Sequence, residues 1–379
     1  MAFTGKAVYD AFGSQTVFGN IAEDVSDLVS MISPTETPLL DRLGDPFQPA
    51  SNVLHQWEEE DLAPSTLVTS ASVNNTTGDV YIPVHVGGIG AGKWIMPGSV
   101  LRDRTSGEYL QVTACTANTI TVTRAFGGTT VATIVAGSGL TVIAPAALEG
   151  ADVAVDISRP RSRLTNYVQI FKKDVIISDT ARSVTYHGRE DEYERQKRNR
   201  VKEVLIELEK ACILGKLSGN TIGSVSAYRT LKGLWDTVVT NSSSIGPTIT
   251  TSLLDNAIVA AWGYGANDLD LIVADSNYQR IIDGWNSQRI QVQNADDRYM
   301  NKVTWYESTF GRLPVLVNRW MPTNSLLVLA TNRIKVVPLQ GQSFHFEEVS
   351  RTGAATKGMV YGEYTLEVRN EAGLAKVYG

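Results

Sequence analysis

Residues 189–214, REDEYERQKRNRVKEVLIELEKACIL, form the stretch on which the rest of the chain hangs. They contain neither Gly nor Pro, and a helix of that length rises about 39 Å. Val201, Leu205, Leu208 and Cys212 are spaced four, three and four, which predicts one buried stripe. The first half is charged nearly all round, whereas the second adds Val204, Ile206, Ile213 and Leu214 and is expected to lie deeper. Gly215 is expected to end the helix in a left-handed cap. A helix this long and this asymmetric predicts a structural spine.

Working outward, NYVQIF (166–171) and DVIIS (174–178) read as strands leading into the helix. Upstream, EYLQVTA (108–114) and NTITVTR (118–124) alternate with period two around a short connection, the signature of a hairpin. With a further strand at 140–143 they predict a compact all-β module over 81–148. Downstream, Thr251-Ser252 with Asp255 resembles a capping box before Ala257, Ile258, Ala261 and Trp262. LDLIV (269–273) reads as a buried strand, 276–285 as a helix, and 303–308, 313–318, 326–330, 344–349 and 359–368 as strands. There is no regular βαβ alternation, so the fold class is α+β. Residues 1–50 carry Lys6 and Arg42 against seven carboxylates; a short helix is expected in AEDVSDLVSMI (22–32), within an arm lacking a core of its own.

Composition narrows the function. A chain of 379 residues exceeds what one core usually serves, and a net charge of −6 argues against a general nucleic-acid binder. Cys115 and Cys212 are the only cysteines, which excludes a disulfide framework and predicts assembly in a reducing cytosol. The opening MAFTGKAVYDAFG has no signal-peptide pattern. The uncharged segment 125–148 is broken by glycines and Pro145, so it predicts strands rather than a membrane span.

Motifs for chemistry are sparse. VGGIGAGKW (86–94) has the G-x-x-x-x-G-K spacing of a phosphate-cradling loop, from Gly87 to Lys93. Trp94 occupies the hydroxyl position, however, and IMPG follows where a helix is required. There is no H-E-x-x-H, G-x-S-x-G or complete calcium loop, and His55, His85, His187 and His345 are widely separated. No catalytic, cofactor or metal residues are therefore predicted. Two charge runs stand out: Glu58, Glu59, Glu60 and Asp61 behind Trp57, and Arg159, Arg161 and Arg163 on alternate residues. An extended chain aims the three guanidiniums to one side. The runs are read either as solvated surface, or as meeting each other or matching runs on neighbouring copies.

In this order, AEDVSDLVSMISPTETPLLDRLG (22–44), HQWEEEDLAP (55–64), NYVQIFKKDVIISDTARSV (166–184), the long helix, LKGLWDTVVTN (231–241), WYESTFGRLPVLVNRWMP (305–322) and GEYTLEVRNEAGLAKVYG (362–379) resemble the major capsid protein of tailed bacteriophages, with its HK97-type fold. The resemblance implies an N-terminal arm (1–50) and an extended loop (51–80 and 149–182) carrying the β module (81–148) as an insertion. It also implies a peripheral domain (183–250 and 340–379) and an axial domain (251–339). The implied partners are copies of the chain in hexamers and pentamers, with portal, scaffold or decoration proteins. The implied location is a virion shell, assembled in the host cytoplasm around double-stranded DNA that is not bound sequence-specifically. The same architecture implies an alternative, an encapsulin-like nanocompartment; a nucleotide-dependent enzyme using Gly87–Lys93 is a further alternative.

Overall fold

The computed structural model describes residues 36–44, 48–78, 80–86, 89–150, 157–184, 192–219, 223–285, 305–351 and 353–379. The expected helix at 22–32 and the start of the spine at 189–191 lie outside them. The chain divides into two units, residues 1–55 with 165–379, and residues 56–164.

After α1 (Pro38–Leu43), which starts on a proline whose φ is preset for a first turn, the chain enters β1 (Leu54–Glu59) and passes to the second unit. There it forms β2 (Thr66–Thr69), β3 (Tyr81–Val86), β4 (Ile89–Gly90), β5 (Ser99–Asp103), β6 (Tyr109–Cys115), β7 (Thr119–Thr123) and β8 (Gly139–Pro145). Six of these are antiparallel neighbours in the order β2, β8, β5, β6, β7, β3, and β3 pairs back onto β2. The module is thus a closed barrel, which leaves no free edge along its circuit. Its interior follows the period-two pattern: Leu110 and Val112 from β6, Ile120 and Val122 from β7, with Leu67, Ile82, Leu101 and Leu140 from the other strands. The barrel starts at Thr66, earlier than the expected 81, because β2 is needed for closure and its four residues are too short to announce themselves.

The chain returns through β9 (Ser162–Tyr167), which pairs with β1 in a sheet of those two strands alone, and continues as β10 (Gln169–Ser178), α2 (Asp179–Ser183) and the spine α3 (Glu192–Leu214). The buried residues of α3 are Tyr193, Val204, Leu208, Glu209, Cys212 and Ile213, while Val201 is exposed and Leu205 half-buried. The stripe therefore runs at i, i+4, i+8 from Val204 rather than from Val201. Each fully buried aliphatic on it is worth about 1.5–3 kcal/mol. A charged residue, Glu209, sits within that face. Gly215 ends the helix without a positive φ. It is glycine because Gly233 crosses it backbone to backbone: a Cβ on Gly215 would lie 2.4 Å from the Ala211 carbonyl oxygen and 2.8 Å from that of Leu231.

Beyond the spine come α4 (Leu234–Thr237), β11 (Ser242–Ser244), α5 (Thr251–Gly263), β12 (Leu271–Ala274), α6 (Ser276–Trp285), β13 (Trp305–Ser308), β14 (Gly311–Val317), β15 (Ser325–Leu329), β16 (Ile334–Pro338), β17 (His345–Val349), β18 (Ala355–Val368) and β19 (Ala375–Tyr378). Helix α5 is capped by Thr250, whose hydroxyl accepts from the Leu253 amide, one residue before the expected position. The 14-residue β18 pairs with β10 on one side and with β16 and β17 on the other. A second sheet has the order β11, β19, β15, β12, β14, β13. One core lies between α3 and both sheets, another between the second sheet and α5 with α6. Sheet membership crosses the boundaries expected from sequence: β16, from within 251–339, joins β18, whereas β11 and β19, from outside it, join the second sheet. All three are short, β16 and β19 mostly apolar and β11 a run of three exposed serines, and pairing partner is not written in their composition.

Candidate functional site

The two charge runs come together. Because β1 and β9 pair, the segment 58–61 lies beside 159–163 in the same chain. Arg159 pairs with Asp61 and stacks its guanidinium 4.5 Å from the Trp94 ring centroid. Arg161 stands between Glu60 at 3.5 Å and Glu58 at 3.9 Å, and Arg163 reaches Glu58 at 3.1 Å. Trp57 and Glu59 occupy the alternate face of β1 and are half-buried. The ladder is still wet: Glu60 is 64% and Arg161 63% exposed. Exposed pairs of this kind contribute about 0–1 kcal/mol each, so their main physical effect is to fix register and present a patterned surface.

Two long-range contacts that no local sequence pattern signals lie in the first unit. At the base of β1, His55 Nε2 lies 2.9 Å from Glu367 Oε2, and Arg369 pairs with the same carboxylate. The His55 hydrogen bond, with help from Arg369 and against burial, holds the Glu367 carboxyl below the usual range. His55 looked isolated in sequence because its partner is more than 300 residues away. The second is made by Glu209. Fully buried, it accepts from the Leu39 amide on Oε1 and the Leu40 amide on Oε2, each at 2.9 Å, and from Asn318 Nδ2 at 2.5 Å. Thr37 gives α1 no side-chain cap, so a spine residue supplies it from 170 positions away. Burial pushes the Glu209 carboxyl up, while these three donors pull it down and Asp41 adds to the rise. The same 36–44 segment is fastened by Trp320 Nε1, which donates to the Glu36 carbonyl at 3.1 Å, and by Arg319, 3.8 Å from the Glu36 carboxylate.

In the barrel, Glu108 and Arg124 form a fully buried pair. Arg124 donates through Nε and Nη2 at 2.8 Å each, and the Ala125 and Ala132 amides donate to the same carboxylate at 3.1 and 3.0 Å. Arg124 also donates through Nη1 to the Asn74 carbonyl at 3.0 Å and through Nη2 to the Ala132 carbonyl at 2.5 Å. Burial raises the Glu108 pKa, but Arg124 and the two amides outweigh it and hold the carboxyl below its ordinary value.

Gly87 and Gly88 lie outside the described residues, and the described part of the glycine-rich stretch, 89–94, leads into no α-helix. Gly92–Trp94 makes a single 3₁₀ turn, Ile95 is extended, and β5 follows. Gly92 is required by close approach: a Cβ there would fall 2.2 Å from the Thr116 carbonyl oxygen. Lys93 lies 5.0 Å over the ring of Trp94. Among the described residues no three His, Cys, Asp or Glu side chains converge as a metal site, and no helix is long and apolar enough to cross a membrane. Burial pushes the Cys212 thiol up, which leaves it unreactive in the core.

The sequence model for the family described as SU10 major capsid protein matches residues 9–379. The chain belongs to that family.

This capsid protein is similar to a chain of the cyanophage A-1(L) capsid at 10% identity, over 94% of this chain and 96% of that one, with a TM-score of 0.60. It is also similar to a capsid chain of Myoviridae phage XM1 at 10% identity, over 95% and 99% of the two chains, with a TM-score of 0.51. An encapsulin of Synechococcus elongatus PCC 7942 is similar over 57% of this chain and 75% of its own, at 12% identity and a TM-score of 0.40. No curated protein matches the sequence. The fold is the α+β, HK97-type capsid fold, with the barrel as an additional β element. The protein is a phage major capsid protein, a structural component of the virion whose shell is assembled from its own copies.

Proposed function

We propose that the chain tiles as hexamers and pentamers into a closed icosahedral head around double-stranded DNA, and that it performs no catalysis. In this reading residues 1–50 are an arm, and 51–80 with 149–182 form an extended loop that overlaps a neighbouring copy and carries the barrel. Residues 183–250 with most of 340–379 form a peripheral domain, and 251–339 an axial one. Assembly takes place in the host cytoplasm, and portal, scaffold or decoration proteins are further partners. A net charge of −6 supports the DNA reading, since a wall short of cations lets packaged DNA slide without sticking.

The observation that carries the overlap is the β1/β9 ribbon. Two strands alone are marginal in water, and this pair is lined by exposed ions rather than a core. It gains burial and a definite register on another copy. Exchanging the ladder's signs tests this: Glu58→Arg and Glu60→Arg with Arg161→Glu and Arg163→Glu keep the pairing within the chain but invert the pattern presented outward. The expected outcome by sedimentation is an unchanged fold and a loss of assembled particles of tenfold or more. Undiminished assembly would remove the ladder from the interface.

A further inference from the structure

In the spine, Val201, Leu205, Leu208 and Cys212 share one stripe by their spacing, yet the structure covers only its second half. Leu208 and Cys212 are buried, whereas Leu205 is half-buried and Val201 is 38% exposed. Arg198 and Lys202 border the open half, and both are exposed. Among the described residues neither has an ion-pair partner, although the cations next to them do: Arg195 pairs with Glu192, Lys197 with Glu194 and Arg200 with Glu203. The open half is an apolar strip with two unmatched positive charges beside it.

The closed end of the same face is covered by the N-terminal segment. Arg198, Lys202, Leu205 and Glu209 are spaced four, three and four, so they lie along one line of the helix. Glu209 holds the Leu39 and Leu40 amides at the C-terminal end of that line. Just upstream, the Glu36 carbonyl is held by Trp320, whose ring lies 4.1 Å under the Lys210 ammonium. Residue 36 is thus fixed beside the last turns of the spine. Residues 33–35 join it to the segment 22–32, and that connection reaches about 13 Å. Val201 is about 12 Å along the axis from Glu209, and a helix over 22–32 is about 16 Å long, which matches the spine from 195 to 205. Its Val25, Leu28, Val29 and Ile32 share one face, and it carries Glu23, Asp24 and Asp27 with no Lys or Arg.

We propose that residues 22–32 dock as an amphipathic helix on the spine of their own chain, with Val25, Leu28, Val29 and Ile32 over Val201 and Leu205. Ile32 lies nearest the Glu209 end, and the carboxylates at the other end of the segment come level with Arg198. Three carboxylates without a cation meet two cations without a carboxylate, which selects this segment for this face. The short connection at 33–35 selects the same chain over another copy, because it holds the segment at an effective concentration in the millimolar range. The contact lies within one chain, so the inference goes beyond the shell reading and stands whether or not particles form.

The test uses the full-length chain with a photoreactive benzophenone side chain in place of exposed Val201. Heavy-isotope-labelled and unlabelled protein are mixed 1:1 before assembly and irradiated, and the joined peptides are mapped by mass spectrometry. The expected result is joining of position 201 to residues 22–32, with both peptides of each pair carrying the same isotope. Joining to any other segment, pairs that mix the isotopes, or no joining at all would overturn the proposal. Arg198→Glu with Lys202→Glu, at two exposed positions without partners, is expected to lower the yield about fivefold, and adding Glu23→Lys with Asp24→Lys to restore it. An unchanged yield in the first pair would overturn the selection by charge, and far-UV circular dichroism checks that each variant folds. Mass photometry of the same samples shows whether particles form, so a failure of the shell reading is told apart from a failure of this one.

Discussion

Arg124→Met is expected to remove about 3–5 kcal/mol from the stability of the barrel. The magnitude follows from what is left behind: a carboxylate at Glu108 with no access to water, two amide donors still aimed at it, and the carbonyls of Asn74 and Ala132 without their donor. Removing Glu108 as well, as Glu108→Gln, is expected to restore part of the loss, because the uncompensated charge disappears while one amide acceptor remains. Hydrogen exchange of β6 and β7 in the full-length chain across a urea series measures both. A loss below about 1 kcal/mol would mean that water reaches the pair. The pH dependence has a definite sign. Since the folded-state pKa of Glu108 is held below its ordinary 4.5, its contribution is complete above that pH and fades as pH falls through the folded value. Arg124→Met is expected to lose that acid sensitivity together with the stability.

Glu209→Ala is expected to detach residues 36–44 from the spine at a cost of about 3 kcal/mol, from three buried donors left without an acceptor at about 1–3 kcal/mol each, added incompletely. Glu209→Gln is expected to fall between, because its carbonyl can serve one amide while its NH₂ opposes the other. Urea unfolding gives the size of the effect, and limited proteolysis between residues 36 and 50 gives its location. Protection of that segment equal to wild type would contradict the role given to Glu209. Here the pH sign is reversed. Burial raises the folded pKa, so the penalty for holding the charge is present above that value and disappears as pH falls through it.

These two sites also mark where sequence reading stopped. The spine, the hairpin in the barrel, α6 and most later strands were legible because each is long enough to show its period: β7 alternates, as does β6 up to the bulge at Val112–Ala114, and α6 matches residues 276–285. The charge runs were legible as runs, and each of Arg159, Arg161 and Arg163 pairs with a carboxylate of the 58–61 run. That they find Glu58, Glu60 and Asp61 in the same chain depended on β1 pairing with β9, more than 100 residues apart, and no local pattern carries that. Glu209 was hidden for a related reason. In sequence it is one more acidic residue of a charged helix, and only the arrival of α1 turns it into a cap. The stripe was misplaced at its N-terminal end because Val201 has the right spacing but nothing packed over it. Val259 and Trp262 raised the converse problem: they look like core, and both are half exposed.

The central claim is that this polypeptide completes itself only among its copies. Electron microscopy of the purified full-length protein at high concentration tests it most directly. The account predicts rings and closed shells with the barrel resolved as a distinct density on each subunit. A field of separate single-chain particles at every concentration, folded and stable, would contradict it.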